Sequence, residues 1–304
     1  MDHWKIDQNV AATFWLLAFA LSLQLYSFAM YREFFGFEEK PFNVTPDTRY
    51  LFLSPVHEGV LQILRYGIHE RKGFLLLTGE VGTGKTVSIR ALLNEINNSV
   101  ATSLILNPQL SRLELLKTIN RDFGRELKRN SFKEQIDCLN QFVLECADQG
   151  RNALVIIDEA QNLSLEALEM TRLLSNLETE TTKLLQIILV GQPELEEKLA
   201  RTELRQLRQR IQMHCKLTPL DLDQTERYIT FRIQKAGPKS SVAFEKSAVQ
   251  FIHNFSKGVP RLINTLCDFS LVTAYLKNSR IITKSVVSQA FSEIKGDIPY
   301  VAHI

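Results

Sequence analysis

Eight residues, Gly79-Glu80-Val81-Gly82-Thr83-Gly84-Lys85-Thr86, constrain this chain more than any other stretch. They fit G-x-x-x-x-G-K-[ST], the pattern of a phosphate-binding loop. The pattern requires a strand before it and a helix after it. Phe74-Leu75-Leu76-Leu77 reads as a buried strand, and Val87 to Ile96 as an amphipathic helix. Glycines let the backbone wrap around phosphates at angles other residues resist. The N–H groups of the loop and of the following helix then face the anion. Lys85 adds a mobile cation for the β- and γ-phosphates of ATP, and the Thr86 hydroxyl is a Mg²⁺ ligand.

A second constellation follows. Leu154-Val155-Ile156-Ile157 runs into two adjacent carboxylates, Asp158 and Glu159. Such an apolar run belongs in a parallel sheet covered on both faces. Asp158 is then expected at the strand's carboxyl end, where these sheets bind ligands, as a Mg²⁺ ligand direct or through water. Glu159 is the candidate general base that polarises the attacking water. Two halves of one site thus occur in the expected order.

The 304 residues suggest one large or two modest domains, and 45% hydrophobic content supports a packed core. A net charge of +2 does not by itself indicate nucleic acid or an anionic membrane. Cys138, Cys146, Cys215 and Cys267 form no C-x-x-C pair and read as buried thiols of a reducing cytoplasm. The histidines show no metal spacing. Val10 to Met30 carries no charge and is long enough, at 21 residues, to span a bilayer. It lacks a basic leader and a cleavage site, so a secretory signal is not expected. Two readings stand: an inner-membrane anchor with the nucleotide site on the cytoplasmic side, or an extension preceding a true start at Met30.

Ser54-Pro55 opens a helix to about His69. Capping boxes at Ser111-x-x-Glu114 and Ser131-x-x-Glu134 open helices over about 112–124 and 132–148. Further strands are expected at Thr102–Leu106, Leu185–Val190 and Met213–Leu217, and a helix at about Leu165–Leu177. Strands alternating with helices imply a parallel α/β sheet. From Asp223 onward only helices are expected, over about 223–236, 244–256, 259–277 and 284–294, with Thr218-Pro219-Leu220 as hinge. The expected fold is an α/β P-loop NTPase with a five-stranded parallel sheet and a C-terminal all-helical lid. Its parts are the apolar segment 1–29, a P-loop domain 30–218, the lid 219–296 and a tail 297–304.

This order of motifs resembles the AAA+ ATPases. Met30-Tyr31-x-x-Phe34-Phe35-Gly36-Phe37, Lys40-Pro41-Phe42 and Thr45-Pro46-Asp47 are similar to the opening of the ExeA/GspA-type ATPases of bacterial general secretion and pilus systems. Gly79–Thr86, Asp158-Glu159-Ala160-Gln161, Val190-Gly191-Gln192-Pro193-Glu194-Leu195, Leu207-Arg208-Gln209-Arg210-Ile211 and Gly258-Val259-Pro260-Arg261 look like the same subfamily. The subfamily also includes ATPases found beside exosortase and exopolysaccharide genes, and is related to transposition ATPases of the TniB kind.

The resemblance assigns Gln192 as sensor 1, near the γ-phosphate and attacking water, and Arg261 as the lid arginine of sensor 2. It makes Arg210 the first choice for an arginine finger acting on a neighbouring subunit, with Arg208 and Arg205 as runners-up. Each is a cation placed where charge accumulates as the γ-phosphoryl departs. A solvated helix face is the competing reading of the three arginines. Phe35, Phe37 and Phe42 are expected to pack between lid and core. Larger relatives continue into a membrane segment and a peptidoglycan-binding domain, whereas the sequence given stops at Ile304, so a shorter form tied to pilus or exopolysaccharide export is the expectation.

The leading functional reading is an ATP- and Mg²⁺-dependent oligomeric motor or switch, working with export or pilus machinery. A DNA-linked ATPase of the transposition type is the second reading. The near-neutral charge and the lack of a lysine-rich arm or winged-helix tail argue against nucleic acid. A non-hydrolysing nucleotide-dependent scaffold is the third, and an intact Glu159 argues against it.

Overall fold

Capping chemistry and period-2 hydrophobicity set the local structure. The computed structural model describes residues 31–96, 100–127, 131–178, 182–237 and 239–295. The segment 1–29 and the tail 297–304 lie outside the described residues, as does Met30. Two compact units divide the chain at Pro219/Leu220, one spanning Pro46–Pro219 and the other uniting Met1–Thr45 with Leu220–Ile304. Helical residues 31–35 (α1) belong to the second.

In the first unit, Ser54 accepts from the His57 backbone N–H and starts α2 (Pro55–His69). Strand β1 (Phe74–Gly79) leads through the phosphate loop into α3 (Lys85–Glu95) and β2 (Val100–Ile105). Ser111 and Glu114 make both bonds of a capping box at the head of α4 (Arg112–Asp122). Ser131 accepts from the Glu134 N–H at the head of α5 (Phe132–Asp148). Then come β3 (Asn152–Ile157), α6 (Leu165–Leu174), β4 (Leu185–Gly191), α7 (Pro193–Leu199), α8 (Arg205–Arg208) and β5 (Ile211–Leu217).

The five strands are parallel and ordered β2-β3-β4-β1-β5. The three central strands bury every residue. Alternate side chains enter separate cores: Phe74, Leu76, Val155, Ile157, Ile187 and Leu189 on one face; Leu75, Leu77, Leu154, Ile156, Ile188 and Val190 on the other. This is the period-2 alternation of a strand covered on both sides. The sheet order sets the carboxyl ends of β3, β4 and β1 side by side, about 4.8 Å apart per strand. Cys146, Cys215 and Cys267 are buried as expected, and Cys138 is only half-buried.

The second unit contains α9 (Leu222–Ala236), α10 (Lys246–Ser256), α11 (Pro260–Leu276) and α12 (Lys284–Lys295). Two expectations are corrected here. Helices are not the whole of it, because Ala243–Phe244 (β6) pairs in parallel with Ile281–Ile282 (β7). Two-residue strands are too short to produce a periodic signal. The division at 30–218 also fails, because 31–45 group with the helices. The reason is aromatic burial and one buried cation. Phe34 packs edge-on against Tyr275 and Phe42 against Phe244. The Tyr31 hydroxyl donates to Asp268 Oδ1 at 2.8 Å. Buried Arg232 donates to the carbonyls of Pro41 at 2.6 Å and Asn43 at 3.0 Å. Phe35, Phe37 and Phe42 are accordingly core residues of this unit.

Candidate active site

The phosphate loop joins β1 to α3, and its last turn depends on Gly84. There φ is +100°, and a Cβ would lie 3.3 Å from His57 Nε2, so both backbone and space favour glycine. Gly84 is the N-cap of α3, which leaves the first N–H groups of that helix without a side-chain cap. Such a terminus suits an anion. Lys85 is buried and donates through Nζ to the carbonyls of Gly79 at 2.7 Å and Glu80 at 3.0 Å. Burial pulls its ammonium below the usual lysine range, against the opposing pull of Glu159, Asp158, Glu80 and Glu194.

The expected pairing of the two motifs is present. The Thr86 hydroxyl donates to Asp158 Oδ2 at 2.6 Å, although 72 residues separate them. Asp158 also accepts from the Glu159 N–H at 2.9 Å. Burial pushes the Asp158 carboxyl up, and the bonds from Thr86 and Glu159 oppose it. Two adjacent hard oxygens beside a lysine are a donor set that Mg²⁺ accepts, since this ion takes few protein ligands and completes its shell with phosphates and water.

Glu159 adopts a left-handed φ of 52° just past β3. Its Oε2 accepts from Gln192 Nε2 at 2.9 Å and from Gln161 Nε2 at 2.6 Å. Gln192 is the N-cap of α7, at the end of β4, so the side chains of Gln192 and Glu159 meet directly.

The arginines separate. Arg210 is half-buried, and its Nη1 donates to Ser175 Oγ at 2.7 Å and to the Arg172 carbonyl at 3.4 Å. It thereby stands at the C-terminus of α6, where a cation meets the carbonyl end of the helix dipole. In this chain Arg210 is thus held by groups of its own subunit. Arg205 and Arg208 on α8 are exposed. Arg261 is exposed in the first turn of α11.

Two residues of the site received no role from the sequence: Gln161, which stands within the Asp158-Glu159-Ala160-Gln161 run, and His57. His57, buried at the head of α2, accepts through Nδ1 from the Ser54 hydroxyl at 2.7 Å and donates through Nε2 to the Thr83 carbonyl at 3.0 Å. Both bonds are satisfied by a neutral imidazole, and burial pulls its pKa below the ordinary value. A lone histidine 22 residues before the loop shows no pattern until α2 is folded against it.

A parallel sheet with a glycine-rich phosphate-loop sequence after β1, carboxylates after β3 and a polar residue after β4 is the arrangement of a P-loop ATPase of the AAA class. Residues 68–199 match the AAA domain family. Over 268 residues, 88% of the chain, the sequence is 41% identical to general secretion pathway protein A of Aeromonas hydrophila. The chain spans about half, 49%, of that protein's length. Solved structures of similar fold include the Orc1 protein of Aeropyrum pernix in complex with DNA, 16% identical with a TM-score of 0.64 over 85% of this chain and 70% of that one. Another is Cdc6p of Pyrobaculum aerophilum, 18% identical with a TM-score of 0.62 over 82% and 71%. At these identities the likeness is one of fold. Residues 68–199 are thus an AAA ATPase domain, and the chain is similar to general secretion pathway protein A over most of its own length.

Proposed function

We propose that this chain hydrolyses ATP in the presence of Mg²⁺ and works as an oligomeric motor or switch in bacterial secretion, pilus or exopolysaccharide export. The observation that carries the reading is the junction of the two motifs, with Thr86 on Asp158 and Gln192 on Glu159 at neighbouring strand ends. The loop amides and Lys85 bind the phosphates. Lys85 leaves its two carbonyls to do so. Thr86 and Asp158 hold Mg²⁺, which when bound neutralises charge on the transferring phosphoryl group. Glu159 takes the proton of the attacking water, and Gln192 orients that water.

Arg208, exposed on α8, is the arginine we assign as the finger supplied to a neighbouring subunit. Arg261 is assigned to the nucleotide as the lid arginine. The export role is supported by the 41% identity to general secretion pathway protein A, with protein components of that machinery as partners. Among the described residues no helix is long and apolar enough to cross a membrane. The proposed location is the cytoplasmic face of the inner membrane, with residues 10–30 as the attachment.

Mg²⁺-dependent ATP turnover tests the reading. Lys85→Ala is expected to lose ATP binding, because the phosphates lose their cation. Glu159→Gln is expected to bind ATP and turn it over ~10²–10⁴-fold more slowly. Parental ATP affinity in the first variant, or parental turnover in the second, would overturn the assignment.

A further inference from the structure

Gln161 lies two residues past Glu159, in the short 3-10 turn Ala160–Asn162. The left-handed backbone at Glu159 turns the chain sharply, and the Gln161 side chain returns to the carboxylate. Its Nε2 donates to Glu159 Oε2 at 2.6 Å. Its Oε1 accepts from the Gln192 backbone N–H at 3.2 Å. Gln192 Nε2 closes a ring by donating to the same Glu159 oxygen at 2.9 Å.

The surroundings fit an amide at this place. A Cβ on Gly191 would stand 2.9 Å from Gln161 Oε1 and 2.6 Å from Leu195 Cδ2, so only glycine leaves room for the ring. Lys198 donates from α7 to the backbone carbonyls of Gln161, at 2.8 Å, and of Leu163. The turn is therefore tied to α7 through its backbone and to the end of β4 through the Gln161 side chain. A side-chain amide carries a donor and an acceptor on one planar group, so it can donate to a carboxylate and accept from a backbone N–H at once.

We propose that Gln161 is a positioning residue for ATP hydrolysis. It holds Glu159 by Oε2, so that Oε1 is the oxygen presented to water, and it fixes that carboxylate relative to the strand end that carries Gln192. The proposal rests on the reading of Glu159 as the base. Two donors on one oxygen restrain the carboxylate more tightly than the single donor Gln192 would. Displacement of a reacting group by ~1 Å can lower a rate ~10²-fold.

The test uses the full chain and two variants. Gln161→Met keeps the length and removes both hydrogen bonds; Gln161→Asn keeps the amide and is too short to make both. Expected for each is a kcat lowered about 10- to 100-fold, with KM and the Kd for Mg·ATP within about twofold of the parent. A thermal melt accompanies each, and if Gln161→Met does not fold, Gln161→Asn carries the test. The discriminating readout is the double variant. If Gln161 acts through Glu159, adding Gln161→Met to Glu159→Gln lowers single-turnover rates by less than about twofold, because the base it positions is already gone. Parental kcat in the Gln161 variants would overturn the proposal. So would a loss of ATP affinity in proportion to kcat, or a full multiplicative loss in the double variant. Parental turnover in Glu159→Gln alone would instead remove the reading of the base. An inactive Glu159→Gln beside a fully active Gln161→Met would refute only the role given to Gln161.

Discussion

Replacing His57 with leucine removes a neutral imidazole that joins the head of α2 to the phosphate loop. The variant keeps the buried volume and loses two hydrogen bonds, from the Ser54 hydroxyl at 2.7 Å and to the Thr83 carbonyl at 3.0 Å. His57 is 3% exposed, so water does not replace the lost donor. Leaving a buried polar group unpaired costs about 1–3 kcal/mol. The cost falls on the loop conformation that binds phosphates, which corresponds to about 5- to 150-fold weaker Mg·ATP binding. Calorimetric titration at neutral pH measures it, and a thermal melt reads the accompanying loss of stability. The same residue predicts a pH dependence. Burial favours the neutral form in the folded state, while the unfolded chain titrates near the ordinary value of about 6.5. Below that pH the unfolded state binds a proton that the folded state refuses. Stability therefore falls by about 1.4 kcal/mol per pH unit, until the lowered folded pKa is reached. His57→Leu removes this slope, so the stability difference between parent and variant narrows as pH falls from 7 toward 5. Parental ATP affinity together with a pH-independent difference would refute the argument.

Three further outcomes follow from the geometry. Arg210→Ala should lower the melting temperature, because the C-terminus of α6 loses the cation bonded to Ser175 and Arg172, whereas Arg208→Ala should melt like the parent. If Arg208 acts in trans, its alanine variant should bind ATP normally, turn over ~10³-fold or more slowly, and regain activity when mixed with Lys85→Ala; no rescue on mixing would leave α8 as a solvated face. Arg232→Met should destabilise the helical unit by about 1–3 kcal/mol in denaturant unfolding, since it strips the donor from the buried carbonyl of Pro41 as well as the bond to the Asn43 carbonyl, and an unchanged midpoint would contradict that role.

Local chemistry carries much of what can be read without coordinates. The helix at Phe132–Asp148 follows from the Ser131 cap and its apolar spacing, and it ends where expected. Lys85, Thr86, Asp158 and Glu159 belong to short contiguous patterns whose residue types are dictated by phosphate and Mg²⁺ chemistry. Their nearest neighbours in sequence suffice to single them out as candidates.

Other features come from contacts between distant segments, and no local pattern encodes them. The order β2-β3-β4-β1-β5 depends on which hydrophobic faces the helices cover, and it is this order that sets Gln192 beside Glu159. Residues 31–45 join the helices more than 180 positions away because Arg232 and the aromatic rings find their partners there. Arg208 and Arg210 are two residues apart and look alike as sequence. Folding sends Arg210 onto the end of α6 and leaves Arg208 in solvent. His57 and Gln161 read as an ordinary histidine and glutamine until burial and a turn aim them at the phosphate loop and at Glu159. Residue type sets what a side chain can do, and only packing decides which partner it meets.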